Sequence, residues 1–147
     1  MYEILDAIAD SYNPLLGLVT LMLLAYTLWR RRWAAAGRLS QTLFGGLAIA
    51  YTVQWLDHSL DIWPALGMDY STHSAVAMVI TLSLIAAAPR LRIPALIGLL
   101  GYALLMLYQE YHSVADIFST ALVITPLWCG VLLLSRAVSR EVATQSA

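Results

Sequence analysis

Two short segments carry most of the residues able to do chemistry: Gly67-Met-Asp-Tyr-Ser-Thr-His-Ser-Ala-Val-Ala77 and Tyr111-His-Ser-Val-Ala-Asp-Ile117. In the second, His112 and Asp116 are four residues apart, a spacing that puts both side chains on one face of a helix. A carboxylate there is expected to bind one imidazole nitrogen, fix the tautomer and leave the other nitrogen free to attack an electrophile. In the first segment, Ser71 is the expected N-cap of a helix that carries His73 near its start. With the two helices adjacent, His73 is expected to face His112 and act as general acid on a leaving oxygen. The unpaired N–H groups of a helix start also favour an anion such as phosphate. These features suit phosphoryl transfer from a lipid.

Membrane helices must position these residues. Of 147 residues, 61% are hydrophobic and 12% charged, with a mean hydropathy of +0.74; an ordinary globular chain carries about 25% charged residues. So short a chain cannot hide that much apolar surface in one soluble core, and its composition is the reverse of a disordered one. Cys129 is the single cysteine and lies in an apolar run, which leaves neither a disulfide framework nor a Cys-based zinc site. Charged residues divide the chain into five neutral intervals, 11–29, 39–56, 74–89, 93–109 and 117–135. Each is close to the ~20 residues that cross the hydrocarbon core as a helix.

The predicted fold is therefore an all-α polytopic bundle forming one integral membrane domain over residues 1–147. Five transmembrane helices are expected at about 14–33, 41–56, 73–88, 93–109 and 113–135. Before them, Ile4, Leu5 and Ile8 against Glu3, Asp6 and Asp10 predict an N-terminal interfacial amphipathic helix, broken at Asn13-Pro14. The acids at the start replace the basic region of a cleaved leader, so the first span is expected to target the chain itself. Gly45-Gly46 and the pair Gly98 and Gly101 predict close helix approach. Pro126 falls within the fifth span as a site for a kink.

All eight basic residues are Arg. Arg30, Arg31, Arg32 and Arg38 follow the first span, Arg90 and Arg92 the third, and Arg136 and Arg140 the fifth. Five spans put these on one side, which the positive-inside rule makes cytoplasmic: N-out, C-in, in a bacterial inner membrane. The arginines then read as topogenic and as lipid-headgroup contacts. The other, periplasmic, side receives His58, His73, His112 and every acid except Glu141. Ionisable groups at span mouths are costly, so His73, His112 and Asp116 are the first candidates for function.

Ser71-Thr72-His73 resembles the second signature, P-S-G-H or P-S-T-H, of the type 2 phosphatidic acid phosphatase superfamily. His112-Ser-Val-Ala-Asp116 is similar to the end of its third, S-R-x-x-x-x-x-H-x-x-x-D. Gly-Met-x-x-Ser-Thr-His and Tyr-His-Ser-x-x-Asp-Ile look most like the sphingosine-1-phosphate phosphatases within it. The resemblance covers Gly67 to about Thr120 and implies a metal-independent lipid phosphatase or phosphotransferase with one span fewer than usual. It implies His112 as the nucleophile forming a phosphohistidine, Asp116 as its orienting partner, His73 as general acid and Ser71 on the phosphate. Thr72, His58, Asp69 and Tyr111 complete the expected substrate-binding set.

Leu105 and Met106 stand where the third signature has Ser and Arg, Tyr70 stands for the Pro before Ser71, and the first signature, K-x-x-x-x-x-x-R-P, has no match. No Lys or Arg is expected on the outer side. His58, protonated between Asp57 and Asp61, is one replacement for the missing cation. A cage of Trp55, Trp63, Tyr70, Tyr108 and Tyr111 around a quaternary ammonium is another, although aromatic residues at span ends are also interfacial anchors. A competing reading is a zinc-dependent hydrolase whose ligands come from His58, His73, His112, Asp57 and Asp116. A third is a non-catalytic scaffold serving a membrane-protein partner or an oligomer. The expected partners are a lipid substrate and the bilayer, with no nucleic acid.

Overall fold

The computed structural model describes residues 2–145, with side chains described over 3–139. Five helices dominate: α1 (Tyr2–Trp29), α2 (Trp33–Leu60), α3 (Thr72–Ala87), α4 (Arg92–Tyr108) and α5 (Val114–Gln145). Short 3-10 turns occupy Pro64–Leu66 and Pro89–Leu91, and no strand occurs among the described residues. The protein is all-α, as its composition predicts. Arg140 and Glu141, counted above with the inner-side charges, have side chains outside the described residues.

Three segments, Glu3–Trp29, Pro89–Tyr108 and Val114–Ser139, are long and apolar enough to cross a membrane. α3 is apolar but has only 16 residues, about 24 Å of helix against ~30 Å of hydrocarbon. Its position accounts for its length. It packs against all four other helices, and Ser74, Ala75, Ala77 and the run from Met78 to Thr81 are buried. A helix surrounded by protein is not obliged to match the thickness of lipid.

The N-terminal segment departs from expectation. No break separates an interfacial helix from the first span; α1 runs through Pro14 without interruption. Tertiary contacts outweigh the lost backbone hydrogen bond at the proline. Tyr12 stacks on Tyr102 of α4 with ring centroids 4.3 Å apart. Asn13 Nδ2 donates to the His73 carbonyl at 3.1 Å and to the Tyr102 hydroxyl at 3.4 Å. A Cβ on Gly98 would meet the Tyr12 hydroxyl at 3.2 Å, so that glycine lets α4 approach. Gly46 has a similar role in α2: its Cβ would lie 2.7 Å from Val79 Cγ1 and 2.8 Å from Trp128 Cδ1. Gly101 has nothing within 4 Å and serves no such contact. Pro126 lies inside α5, which continues through it.

The turns segregate charge between the two ends of the bundle. α1 stops in a Schellman motif: Arg31 takes the left-handed conformation at φ 53, its N–H reaches the Leu28 carbonyl, and the Arg32 N–H reaches that of Thr27. α4 stops the same way, with Glu110 at φ 57, Glu110 N–H on Leu107 and Tyr111 N–H on Met106. The α1–α2 turn, the α3–α4 turn and the late part of α5 meet at one end, where Arg32, Arg38, Arg90 and Arg136 line one cavity. At the opposite end Gln109 Nε2 hydrogen-bonds the Asp6 carboxylate, and the α2–α3 loop meets the start of α5.

Candidate functional site

The acidic end is built on one face of the first turns of α5. Asp116, Ser119 and Thr120, spaced three and four residues apart, all receive the α2–α3 loop. Asp116 Oδ1 accepts the Asp69 N–H at 2.7 Å. Ser119 Oγ accepts the Trp63 indole N–H at 2.9 Å, and Thr120 Oγ1 accepts the Ser71 N–H at 3.1 Å. From the α2 side, Asp57 Oδ1 accepts the Trp63 backbone N–H at 2.7 Å. Tyr70 donates its hydroxyl to the Ala50 carbonyl at 2.9 Å and meets Trp63 edge to face at 5.0 Å. Burial first, and the nearby Asp57 charge second, hold the Tyr70 phenol above the usual tyrosine range.

This construction changes the role expected of Asp116. α5 begins at Val114, so His112 precedes the helix and the four-residue spacing does not place the pair on one helical face. Ser113 and Asp116 instead form a capping box. Asp116 Oδ2 accepts the Ser113 N–H at 2.7 Å, and Ser113 Oγ accepts the Asp116 N–H at 3.2 Å. Asp116 is buried with both oxygens on backbone N–H groups. The carboxylate that approaches His112 belongs to Asp69: its Oδ2 lies 3.6 Å from His112 Nδ1. The imidazole is 11% exposed while the Asp69 side chain is 70% exposed, and Nδ1 is buried without a hydrogen-bond partner.

The remaining candidates scatter around this pair. Ser71 is the N-cap of α3, as its sequence predicts, with its oxygen accepting the Ser74 N–H at 3.4 Å. It is fully buried and its hydroxyl donates to Ser74 Oγ at 2.7 Å, which leaves it no face for a phosphate. His73 is exposed on α3, which packs on α5. It lines a cavity of about 270 Å³ together with Thr72, Asp10, Asn13 and Tyr51. Among the described residues no hydrogen bond or ion pair joins it to His112. Tyr111 hydrogen-bonds Asp6 Oδ1 at 3.1 Å, a bond that raises its phenol pKa. His58 is exposed near the end of α2, and Asp61 caps that helix in the left-handed conformation.

Trp63 and Tyr70 are buried, with the indole N–H spent on Ser119 of α5 and the phenol hydroxyl on Ala50 of α2, so the expected aromatic cage loses two walls. Among the described residues no three His, Cys, Asp or Glu side chains gather as metal ligands. The set His58, His73, His112, Asp57 and Asp116 is dispersed, with both of its carboxylates bonded to backbone. Asp69 belongs to the expected substrate-binding set, but its place beside His112 and that of Asp10 in the His73 cavity have no signal in local sequence. Ser113-x-x-Asp116 did carry a legible capping-box signal. Searches of family models, curated proteins and solved structures returned no match to this chain.

Proposed function

We propose that the chain is a five-span inner-membrane protein that cleaves or transfers a lipid phosphate ester at its acidic, periplasmic end. The observation that carries this reading is the His112–Asp69 pair. A carboxylate 3.6 Å from Nδ1 favours the proton on that nitrogen and leaves the Nε2 lone pair to attack. The separation exceeds a hydrogen bond, and such contacts tighten in the substrate complex.

The bond between phosphorus and the lipid oxygen breaks as the bond from Nε2 forms. The leaving alcohol takes its proton from His73, on the helix packed against α5. Water then attacks the phosphorus of the phosphohistidine and gives a proton to the now neutral His73 as the bond from phosphorus to Nε2 breaks, which releases phosphate and restores both histidines; a second alcohol in place of water gives transfer. Asp116 takes part as the anchor that fixes Asp69. The test is turnover of phosphatidic acid and sphingosine phosphate in mixed micelles. His112→Ala and His73→Ala are expected to abolish it with the fold retained, and unchanged activity in either contradicts the assignment.

A second reading also has an observation behind it. The described arginine side chains lie in or beside the α1–α2 and α3–α4 turns or late in α5, so none of them stands at His112 to neutralise a transferring phosphoryl group. On that reading the acidic end is a docking platform for a partner membrane protein. Absence of turnover across the phospholipid panel, with stable co-purification of one membrane protein, would favour it.

A further inference from the structure

The arginines have a use beyond orienting the chain. Orientation by positive charge requires only that Lys or Arg lie on one side of the membrane; it does not require them to converge. Here Arg32 from the α1–α2 turn, Arg38 from α2, Arg90 from the α3–α4 turn and Arg136 from α5 line a single cavity of about 700 Å³. Three sequence-distant segments supply these four arginines, and among the described residues no Asp or Glu lines the cavity. No carboxylate among the described residues forms a salt bridge with any of them, since the single pair there is His112 with Asp69.

The walls are amphipathic. Tyr26 and Ser139 add hydroxyls near the arginines, while leucines and the alanines ending α3 supply apolar surface. Guanidinium forks match phosphate oxygens in geometry and stay charged at any physiological pH. A zwitterionic headgroup would bring its own cation into this field, whereas an anionic group with two phosphates would offset part of the positive charge and add none of its own.

We propose that this cavity binds a ligand bearing two phosphate groups, held by Arg32, Arg38, Arg90 and Arg136. The apolar wall and the position at the end of the helices favour a diphosphatidyl lipid headgroup over a soluble diphosphate. Basic pockets between membrane helices are suited to such headgroups. The proposal is independent of the chemistry assigned to the opposite end.

The experiment uses the full chain in phosphatidylcholine nanodiscs, titrated with cardiolipin and separately with inorganic pyrophosphate, and read by native mass spectrometry and melting temperature. Saturable binding of one cardiolipin per chain is expected, weakened about tenfold or more in Arg38→Gln/Arg136→Gln. Arg30→Gln/Arg92→Gln makes the same change in net charge outside the cavity and is expected to bind as the parent does. These arginines are exposed, so both double variants are expected to fold. Displacement of cardiolipin by pyrophosphate, or saturable pyrophosphate binding alone, would support the phosphate site while assigning it to a soluble ligand. Non-saturable uptake, or equal weakening in both double variants, would overturn the proposal and leave only general surface attraction.

Discussion

Asp116 accepts the backbone N–H of Asp69 through one carboxylate oxygen, at 2.7 Å, and through the other it caps its own helix. One buried side chain thus joins the loop before α3 to the start of α5 and sets Asp69 beside His112. The carboxylate that the sequence offers as the histidine's partner is a structural anchor, and the partner comes from another element.

Asp116→Ala removes two charge-assisted hydrogen bonds and leaves their donors without acceptors, a loss of about 2–4 kcal/mol. Asp69→Asn alters an exposed side chain and is expected to change stability by no more than ~0.5 kcal/mol, while lowering phosphoester turnover. Thermal unfolding in detergent, measured beside activity, separates the two. Equal destabilisation by both variants would contradict the division of labour.

Tyr70→Phe leaves the Ala50 carbonyl without its donor and is expected to cost about 1 kcal/mol at neutral pH. The folded phenol pKa is raised, chiefly by burial. Its contribution is therefore fully present below the unfolded value of about 10 and declines as pH rises toward the folded value. Unfolding measured from neutral to alkaline pH should show this decline in the parent and a shallower one in Tyr70→Phe.

At Gly46 a methyl group would overlap Val79 and Trp128, both buried. Gly46→Ala is expected to destabilise by about 1–3 kcal/mol through forced repacking of α2 against α3 and α5. Gly101→Ala, with open space around it, is expected to be neutral or slightly stabilising because alanine is the better helix former. A melting-temperature comparison of the two variants checks this.

Much of the architecture was legible because hydropathy and charge act over whole segments. The neutral intervals overlap the five helices, and the arginines of three separate segments do meet at one end. Ser71 was legible as an N-cap because its effect is local. The continuity of α1 through Pro14 was not, because it depends on Tyr12 and Asn13 meeting residues far along the chain. The partner of His112 was hidden for a related reason. A spacing of four residues predicts contact only inside a helix, and the Ser113 capping box starts α5 after the histidine. Asp69 reaches His112 from another loop, a contact with no signature in local spacing.

Trapping the covalent intermediate tests the histidine chemistry most directly. The chain, mixed with phosphatidic acid or sphingosine phosphate and quenched in alkali, is digested and mapped by mass spectrometry. The expected result is phosphate on His112, stable in base and lost in acid, absent from His112→Ala and reduced in Asp69→Asn. Absence of any adduct across the panel, or an adduct that persists in His112→Ala, would contradict the account.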